Sequence, residues 1–195
     1  MDEAGVAGDE ADMTALLTDD AQRLWEAAQA LNRAAAAVSP AAGRLPPLLF
    51  FTDPARTPRP WETAARLPAG AAVVFRHFGA PDALDQARRL RQATRAAGVR
   101  LLIGLDADLA LAVQADGVHL PERALSAAYG LSGRNPDWVL TGAAHSIKAV
   151  KGARHLGALV LSPVFQAGGA SASRPALGVE GLADIAAAAP CPAYA

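Results

Sequence analysis

The sequence predicts an α/β fold in which parallel strands and helices alternate and close into a (β/α)8 barrel. Residues 99–121 carry the clearest signal. In this stretch an apolar run of strand length is followed by an Ala- and Leu-rich helical segment and then by a second β-favouring run. Two strands joined by a helix lie parallel, with the helix as a right-handed crossover. The same alternation recurs with short loops, which favours a barrel over an open doubly wound sheet.

Seven strands are predicted, each a short apolar run that ends in polar or turn-forming residues. The segments between them carry apolar residues at helical spacing. No Gly-x-Gly-x-x-Gly follows the first strand, which argues against a dinucleotide-binding sheet. The predicted strands are residues 47–51, 71–75, 100–104, 117–120, 138–141, 158–161 and a last one from Cys191, and the helices are residues 61–67, 81–97, 108–114, 122–129, 147–156 and 179–189.

One extra helix is predicted ahead of this repeat. Apolar residues recur at helical spacing over residues 14–37, and the Thr18 side chain can cap a helix start. We therefore divide the chain into residues 1–45, a disordered N-terminus plus this helix, and residues 46–195, an incomplete TIM-barrel domain. The extra helix is expected either to plug the barrel floor or to cover the gap left by a missing eighth strand.

The sequence ends inside the seventh predicted strand, whereas such a barrel has eight strands and usually more than about 200 residues. Three explanations are open at this point. The chain is truncated, the sheet stays open, or the sheet closes with a partner chain, in which case a homo-oligomer is expected.

Composition restricts the class of protein. A chain of 195 residues that is 52% hydrophobic with net charge −1 is expected to form a globular domain with a sizeable core and no nucleic-acid groove. The lone Cys191 has no disulfide partner and is interpreted as a small core residue. The acidic N-terminus has no signal core, and no apolar run reaches membrane-spanning length. A cytoplasmic protein with no membrane partner is expected.

Polar side chains collect where the predicted strands end, which is where barrel proteins place their chemistry. Arginine, hydroxyl groups and a Gly-rich loop suit an anionic ligand such as a phosphate, and a histidine can move a proton. Structural interpretations stay open: Asp53 and Asp108 could cap helices, His119 could be a core histidine, and the Gly-rich loop could be a linker. The candidate site residues are Thr52, Arg76, His77, His119, His145, Ser146, Ser162, Gly168 and Gly169.

Five motifs, in order and spacing, resemble the thiamine-phosphate synthase/TenI superfamily over residues 49–195. They are Phe51-Thr-Asp, Ala115-Asp-Gly-Val-His-Leu, Gly142-Ala-Ala-His-Ser, Ser162-Pro-Val-Phe and Pro175-Ala-Leu-Gly. The resemblance implies a (β/α)8 barrel that continues through a Gly-Gly turn, an eighth strand and a final helix. It implies one of two activities. The synthase joins an aminopyrimidine diphosphate to a thiazole phosphate with Mg²⁺, and TenI isomerises a thiazole phosphate.

The synthase site of this family is only partly matched. Its Arg-x-Lys motif, which grips diphosphate, appears as Arg76-His77-Phe78, and its Asn-Asp motif appears as Gly104-Leu105. The second Mg²⁺ aspartate falls on Ala124, the loop lysine on or near Ala170, and a serine on Ala143. The usual Mg²⁺ and diphosphate residues are therefore missing, which argues against the usual synthase activity. Asp106 and Asp108 are close enough in sequence to offer a shifted site, so Mg²⁺ is kept as a candidate cofactor.

The isomerase activity needs a phosphate site and a general base but no metal. His145 matches the position where the TenI branch keeps a histidine, and His119 is the second candidate catalytic residue. The expected ligand is a small phosphorylated thiazole or pyrimidine. Two alternatives stay open, a non-catalytic binder of such phosphates and a structural barrel that depends on a partner chain.

Overall fold

A seven-stranded, all-parallel sheet forms the centre of the molecule. The structure is a computed structural model that describes residues 18–166, 168 and 174–195. Each strand pairs with the next one along the chain, so the sheet order is sequential. This confirms the predicted α/β barrel class. The strands are β1 Leu49–Phe51, β2 Ala72–Phe75, β3 Arg100–Gly104, β4 Gly117–Leu120, β5 Val139–Ala144, β6 Ala158–Leu161 and β7 Ala193–Tyr194.

The sheet curls, so that its last strand approaches the segment before its first. The Tyr194 hydroxyl on β7 donates to the Pro46 carbonyl at 2.7 Å, three residues ahead of β1. Burial raises the pKa of Tyr194 above its usual range, which keeps this hydroxyl protonated and donating. The two edges of the sheet are thereby joined at their amino ends.

Helices connect successive strands, with bounds mostly within two residues of those expected. The helix predicted at residues 61–67 ends three residues early, at Ala64. Two others differ more. The predicted helix at residues 122–129 is a 3₁₀ helix followed by an α-helix that continues to Arg134, and the helix after β5 ends four residues early, before a turn at His155 with φ +60°. The α-helices are α1 Asp19–Val38, α2 Pro60–Ala64, α3 Ala83–Ala96, α4 Ala107–Ala112, α5 Ala128–Arg134, α6 Ile147–Gly152 and α7 Gly178–Ala187, and the 3₁₀ helices are Ala42–Arg44 and Glu122–Ala127.

Two apolar layers surround the sheet, because its strands are buried on both faces. The larger layer lies between sheet and helices and contains Val73, Ile103 and Val118 packed with Leu90 of α3. The smaller one is the barrel interior, where alternate residues such as Val74 meet. Strands buried on both sides need continuous apolar runs, which is why β2, β3 and β4 were recognisable in the sequence.

The extra helix α1 begins at the predicted cap, since the Thr18 hydroxyl accepts from the Ala21 N–H at 3.3 Å. Its Asn32 side chain donates to the Ala42 and Leu45 carbonyls, at 3.1 and 3.4 Å. The Arg44 carbonyl in turn accepts from Arg100 at the start of β3, at 2.8 Å. α1 therefore packs on the segment at residues 42–45, which lies beside the amino end of β3. No helix among the described residues is long and apolar enough to cross a membrane.

Close backbone packing between β4 and β5 requires a glycine at residue 117. A Cβ atom there would collide with the Val139 carbonyl oxygen, and the backbone of a paired strand cannot move aside as a flexible side chain can. Gly130 in α5 is a matched contrast, because nothing lies within 4 Å of a Cβ added there.

We expect Gly117→Ala to lower the free energy of unfolding by about 3 kcal/mol, because β4 and β5 must separate locally. Gly130→Ala is expected to raise it by about 0.5 kcal/mol, because alanine favours the helix. Urea unfolding followed by circular dichroism measures both changes. Equal midpoints for the two variants would contradict the close approach.

Candidate functional site

The carboxyl ends of the strands form one rim, which we call the mouth. Parallel pairing brings these ends together. Thr52 follows β1, Arg76 and His77 follow β2, and His119 is the third residue of β4. His145 follows β5 and Ser162 follows β6, so the candidates taken from five strands share this rim.

Arg76 is fastened to the end of β1. Its Nε donates to the Thr52 carbonyl at 2.7 Å, and its backbone N–H donates to the Thr52 hydroxyl at 2.9 Å. The guanidinium lies 5.7 Å from the Phe51 ring centre and 5.5 Å from that of Phe78, while Asp53 is 3.7 Å away. Burial lowers the pKa of Arg76, and Asp53 opposes that shift. An anion at the remaining N–H groups would offset the desolvation of this cation.

His119 lies inside the barrel, 7% exposed. Its Nδ1 is 2.9 Å from the Thr141 hydroxyl on β5, and its ring meets the Phe51 ring edge-on at 4.9 Å. Burial, with a further contribution from the charge of Arg76, lowers the pKa of His119 to about 4. The imidazole is therefore neutral near pH 7, and it is both a core histidine and a neighbour of Arg76 through Phe51.

His145 is held in one tautomer. Its Nδ1 lies 2.5 Å from the Ser162 carbonyl oxygen, and a carbonyl only accepts, so Nδ1 carries the proton and donates. The lone pair of the neutral ring is then on Nε2. The Glu122 carboxylate fixes the backbone by accepting from the His145 N–H at 2.5 Å, and the Ser162 hydroxyl lies 3.4 Å from Nδ1.

His77 joins the loops that follow β2 and β3. Its Nε2 lies 3.6 Å from a carboxylate oxygen of Asp106, and its Nδ1 accepts from the Gly79 N–H at 3.1 Å. Because Nδ1 accepts, the proton of the neutral ring is on Nε2, which faces Asp106. The other oxygen of Asp106 caps α4 by accepting from the Leu109 N–H at 2.8 Å.

The remaining candidates are less closely tied to this site. Ser146 uses its hydroxyl to cap α6, accepting from the Ala149 N–H at 3.2 Å. Gly168 is exposed, and Gly169 lies outside the described residues. The structure thus groups Thr52, Arg76 and His119 around Phe51, and pairs His145 with Ser162.

Several residues of the mouth were not predicted. Thr141 could have been found, because strand register places it beside His119. The contact of Glu122 with the His145 backbone depends on the 3₁₀ helix that follows β4, where the sequence predicts an α-helix. Phe78 and Leu105 adopt φ of +51° and +66°, although each has a glycine as its neighbour in the sequence, Gly79 and Gly104, where positive φ would be expected instead.

The carboxylates of the mouth do not fit a Mg²⁺ site. One Asp53 oxygen accepts from the N–H groups of its own turn, and Asp106 is occupied as described above. Asp108, the second residue of the shifted site considered from sequence, bonds to Arg134 at 2.5 Å instead. Among the described residues, no group of three or more His, Cys, Asp or Glu side chains could hold a metal ion.

Fold and mouth together define a class, an α/β-barrel protein whose polar residues gather at the carboxyl ends of its strands. The family model described as thiamine monophosphate synthase matches residues 50–195. The chain belongs to this thiamine monophosphate synthase (TMP-TENI) family.

Individual relatives agree with this assignment. The curated Aquifex aeolicus (strain VF5) protein named "Putative thiamine-phosphate synthase 2" is 34% identical over 111 residues, which cover 56% of this chain and 59% of that protein. The chain therefore matches about three fifths of the length of this relative. A solved structure of thiamine phosphate pyrophosphorylase from Pyrococcus furiosus superposes with TM-score 0.55 at 25% identity, covering 75% of this chain and 72% of the other.

The buried His119 makes stability depend on pH. The folded chain binds this proton more weakly than the unfolded chain, in which the pKa is 6.5, so stability falls as the pH drops from about 6.5 towards 4. The full effect is about 3 kcal/mol. In His119→Gln we expect the free energy of unfolding to fall less between pH 6.5 and pH 4 than in the unmodified chain, because this titrating group is gone.

The matched control is His155→Asn, which removes an exposed histidine. The comparison is the slope of unfolding free energy against pH, so a general destabilisation does not affect it. An unchanged slope in His119→Gln would contradict the buried neutral imidazole.

Proposed function

We propose that this chain binds a thiazole phosphate in thiamine biosynthesis and isomerises it by proton transfer. The observation that carries the proposal is the fixed tautomer of His145, whose Nδ1 donates to the Ser162 carbonyl and leaves Nε2 free as a base. The ligand is a small molecule, without nucleic acid or membrane as a partner, and the cytoplasm is the proposed location.

The reaction is a proton shift within the ring precursor. His145 Nε2 takes a carbon-bound proton, and the electron pair of that C–H bond moves into the ring as the double bond relocates. The proton held on Nε2 can exchange with solvent before a proton is delivered to a second carbon, so the formula of the ligand in H₂O does not change. A neutral imidazole suits this reversible transfer, because its unperturbed pKa lies close to neutral pH.

Arg76 is the proposed phosphate ligand. Its position between Thr52 and two aromatic rings orients the guanidinium, and only Nε is committed to a backbone carbonyl. A planar guanidinium can hold a phosphate with paired N–H groups. The neutral His119 beside Phe51 adds no second charge, so the site suits a single phosphate.

Coupling to an aminopyrimidine diphosphate is less well supported. That reaction displaces diphosphate, which requires cations around the leaving group. The carboxylates that could hold a cation are occupied by backbone N–H groups, His77 or Arg134. The described mouth therefore favours proton transfer over displacement.

Titration calorimetry with thiazole phosphate tests the phosphate site. We expect binding that does not depend on Mg²⁺ and that weakens about tenfold or more in Arg76→Ala, because a charge-assisted hydrogen bond is lost. Arg76→Lys keeps the positive charge but not the paired N–H groups of the guanidinium, so its affinity should lie between those of the unmodified chain and Arg76→Ala. Binding that requires Mg²⁺ would contradict the proposal.

Proton exchange tests the base. In D₂O the protein should exchange the ring-precursor proton of the ligand, followed by NMR, and His145→Gln should slow this exchange about a hundredfold or more. Calorimetry on the same variant should show retained binding. Binding without exchange in the unmodified chain would indicate a non-catalytic binder, and absent binding would favour a structural barrel that depends on a partner chain.

A further inference from the structure

Two bulky apolar residues stand exposed at the mouth in a backbone conformation that such residues rarely adopt. Phe78 is 73% exposed with φ +51°, and Leu105 is 47% exposed with φ +66°. The left-handed region disfavours residues with a large side chain, and burial does not compensate here. Strained residues of this kind cluster at ligand clamps, so the pair points to a ligand contact.

The two residues belong to one surface. They follow neighbouring strands, since Phe75 of β2 pairs with Ile103 of β3. The contact between His77 and Asp106 ties the two loops together, and the Leu105 N–H donates to the His119 carbonyl at 2.8 Å. We call Phe78 and Leu105 the apolar lip.

The lip adjoins Arg76, the residue proposed above to bind the phosphate. The Arg76 guanidinium, which also pairs with Asp53 at 3.7 Å, lies over the Phe78 ring at 5.5 Å from its centre. A positive charge therefore covers one face of this exposed ring, and the other face is left for a ligand. A ligand that suits both features has a flat apolar ring and one anionic group a short distance from it. This charge favours a small aromatic phosphate over an uncharged apolar protein segment.

We propose that the apolar lip determines ligand specificity, by stacking an aromatic ring on Phe78 against Leu105 while Arg76 holds the attached phosphate. The inference rests on the proposed function in one respect, the assignment of phosphate to Arg76. It adds the part of the ligand that is recognised and the residues that recognise it.

Model phosphates test the lip without any turnover. Phenyl phosphate and methyl phosphate carry the same anion and differ in the ring, so the ratio of their affinities, measured by calorimetry, reports stacking alone. We expect the unmodified chain to prefer phenyl phosphate about tenfold, the effect of one stacked ring.

Phe78→Asn should reduce this ratio to about one, since asparagine tolerates positive φ and keeps the turn while removing the ring. Leu105→Asn should reduce the ratio by a smaller factor. Phe78→Tyr keeps an aromatic ring and should therefore keep the ratio of the unmodified chain. The matched control is Tyr129→Ala, which removes an aromatic residue of similar exposure, 71%, that lies on α5 and meets the His155 ring edge-on.

An equal affinity of the unmodified chain for the two probes would overturn the proposal, as would a preference that survives in Phe78→Asn. A dimer at calorimetry concentrations that Phe78→Asn dissociates would also overturn it, in favour of a second copy on the lip. In the unmodified chain, equal affinities for the two probes together with intact proton exchange contradict only the lip. Absent exchange with an intact ratio contradicts only the proposed isomerisation.

Discussion

Parallel pairing of the strands is the constraint on which the site depends. A parallel pair cannot be joined by a tight turn, so each connection crosses the sheet and every strand enters from the same end. The polar residues at or near the ends of β1, β2, β4 and β5 are therefore brought to one mouth. Thr52 and His145, for example, lie 93 positions apart in the sequence. The opposite end carries contacts that close the floor, such as those of Arg100 and Tyr194 with carbonyls before β1.

Burial at the mouth affects the neighbouring side chains of Arg76 and His119 together. Phe51 contacts both Arg76 and His119, and water is kept almost wholly from His119 but only in part from Arg76. Burial lowers the pKa of both side chains, and the charge of Arg76 lowers that of His119 further. The arginine keeps its proton because its ordinary pKa is so high, and the histidine gives up its own. The result is one fixed cation beside a neutral polar ring.

Most of the fold could be predicted from the hydrophobic pattern, whereas the contacts between loops could not. β2, β3 and β4 were recognisable because they are buried on both faces, and the Thr18 cap because its side chain acts within its own turn. Asp106 and Asp108 looked like neighbours in the sequence, yet one contacts His77 and the other Arg134. The positive φ of Phe78 left no trace, because local propensity predicts glycine or asparagine at such a turn.

The three histidines of the mouth show how partner atoms, rather than residue type, assign chemical roles. A carbonyl can only accept, so it makes His145 a base at Nε2, while an amide N–H can only donate, so it makes His77 a donor at Nε2. A hydroxyl can do either, and the Thr141 hydroxyl leaves the tautomer of His119 unfixed while burial removes its charge. Proton removal is proposed for His145 because, of the three, its ring has a lone pair on Nε2 and lies neither inside the barrel nor beside the Asp106 carboxylate.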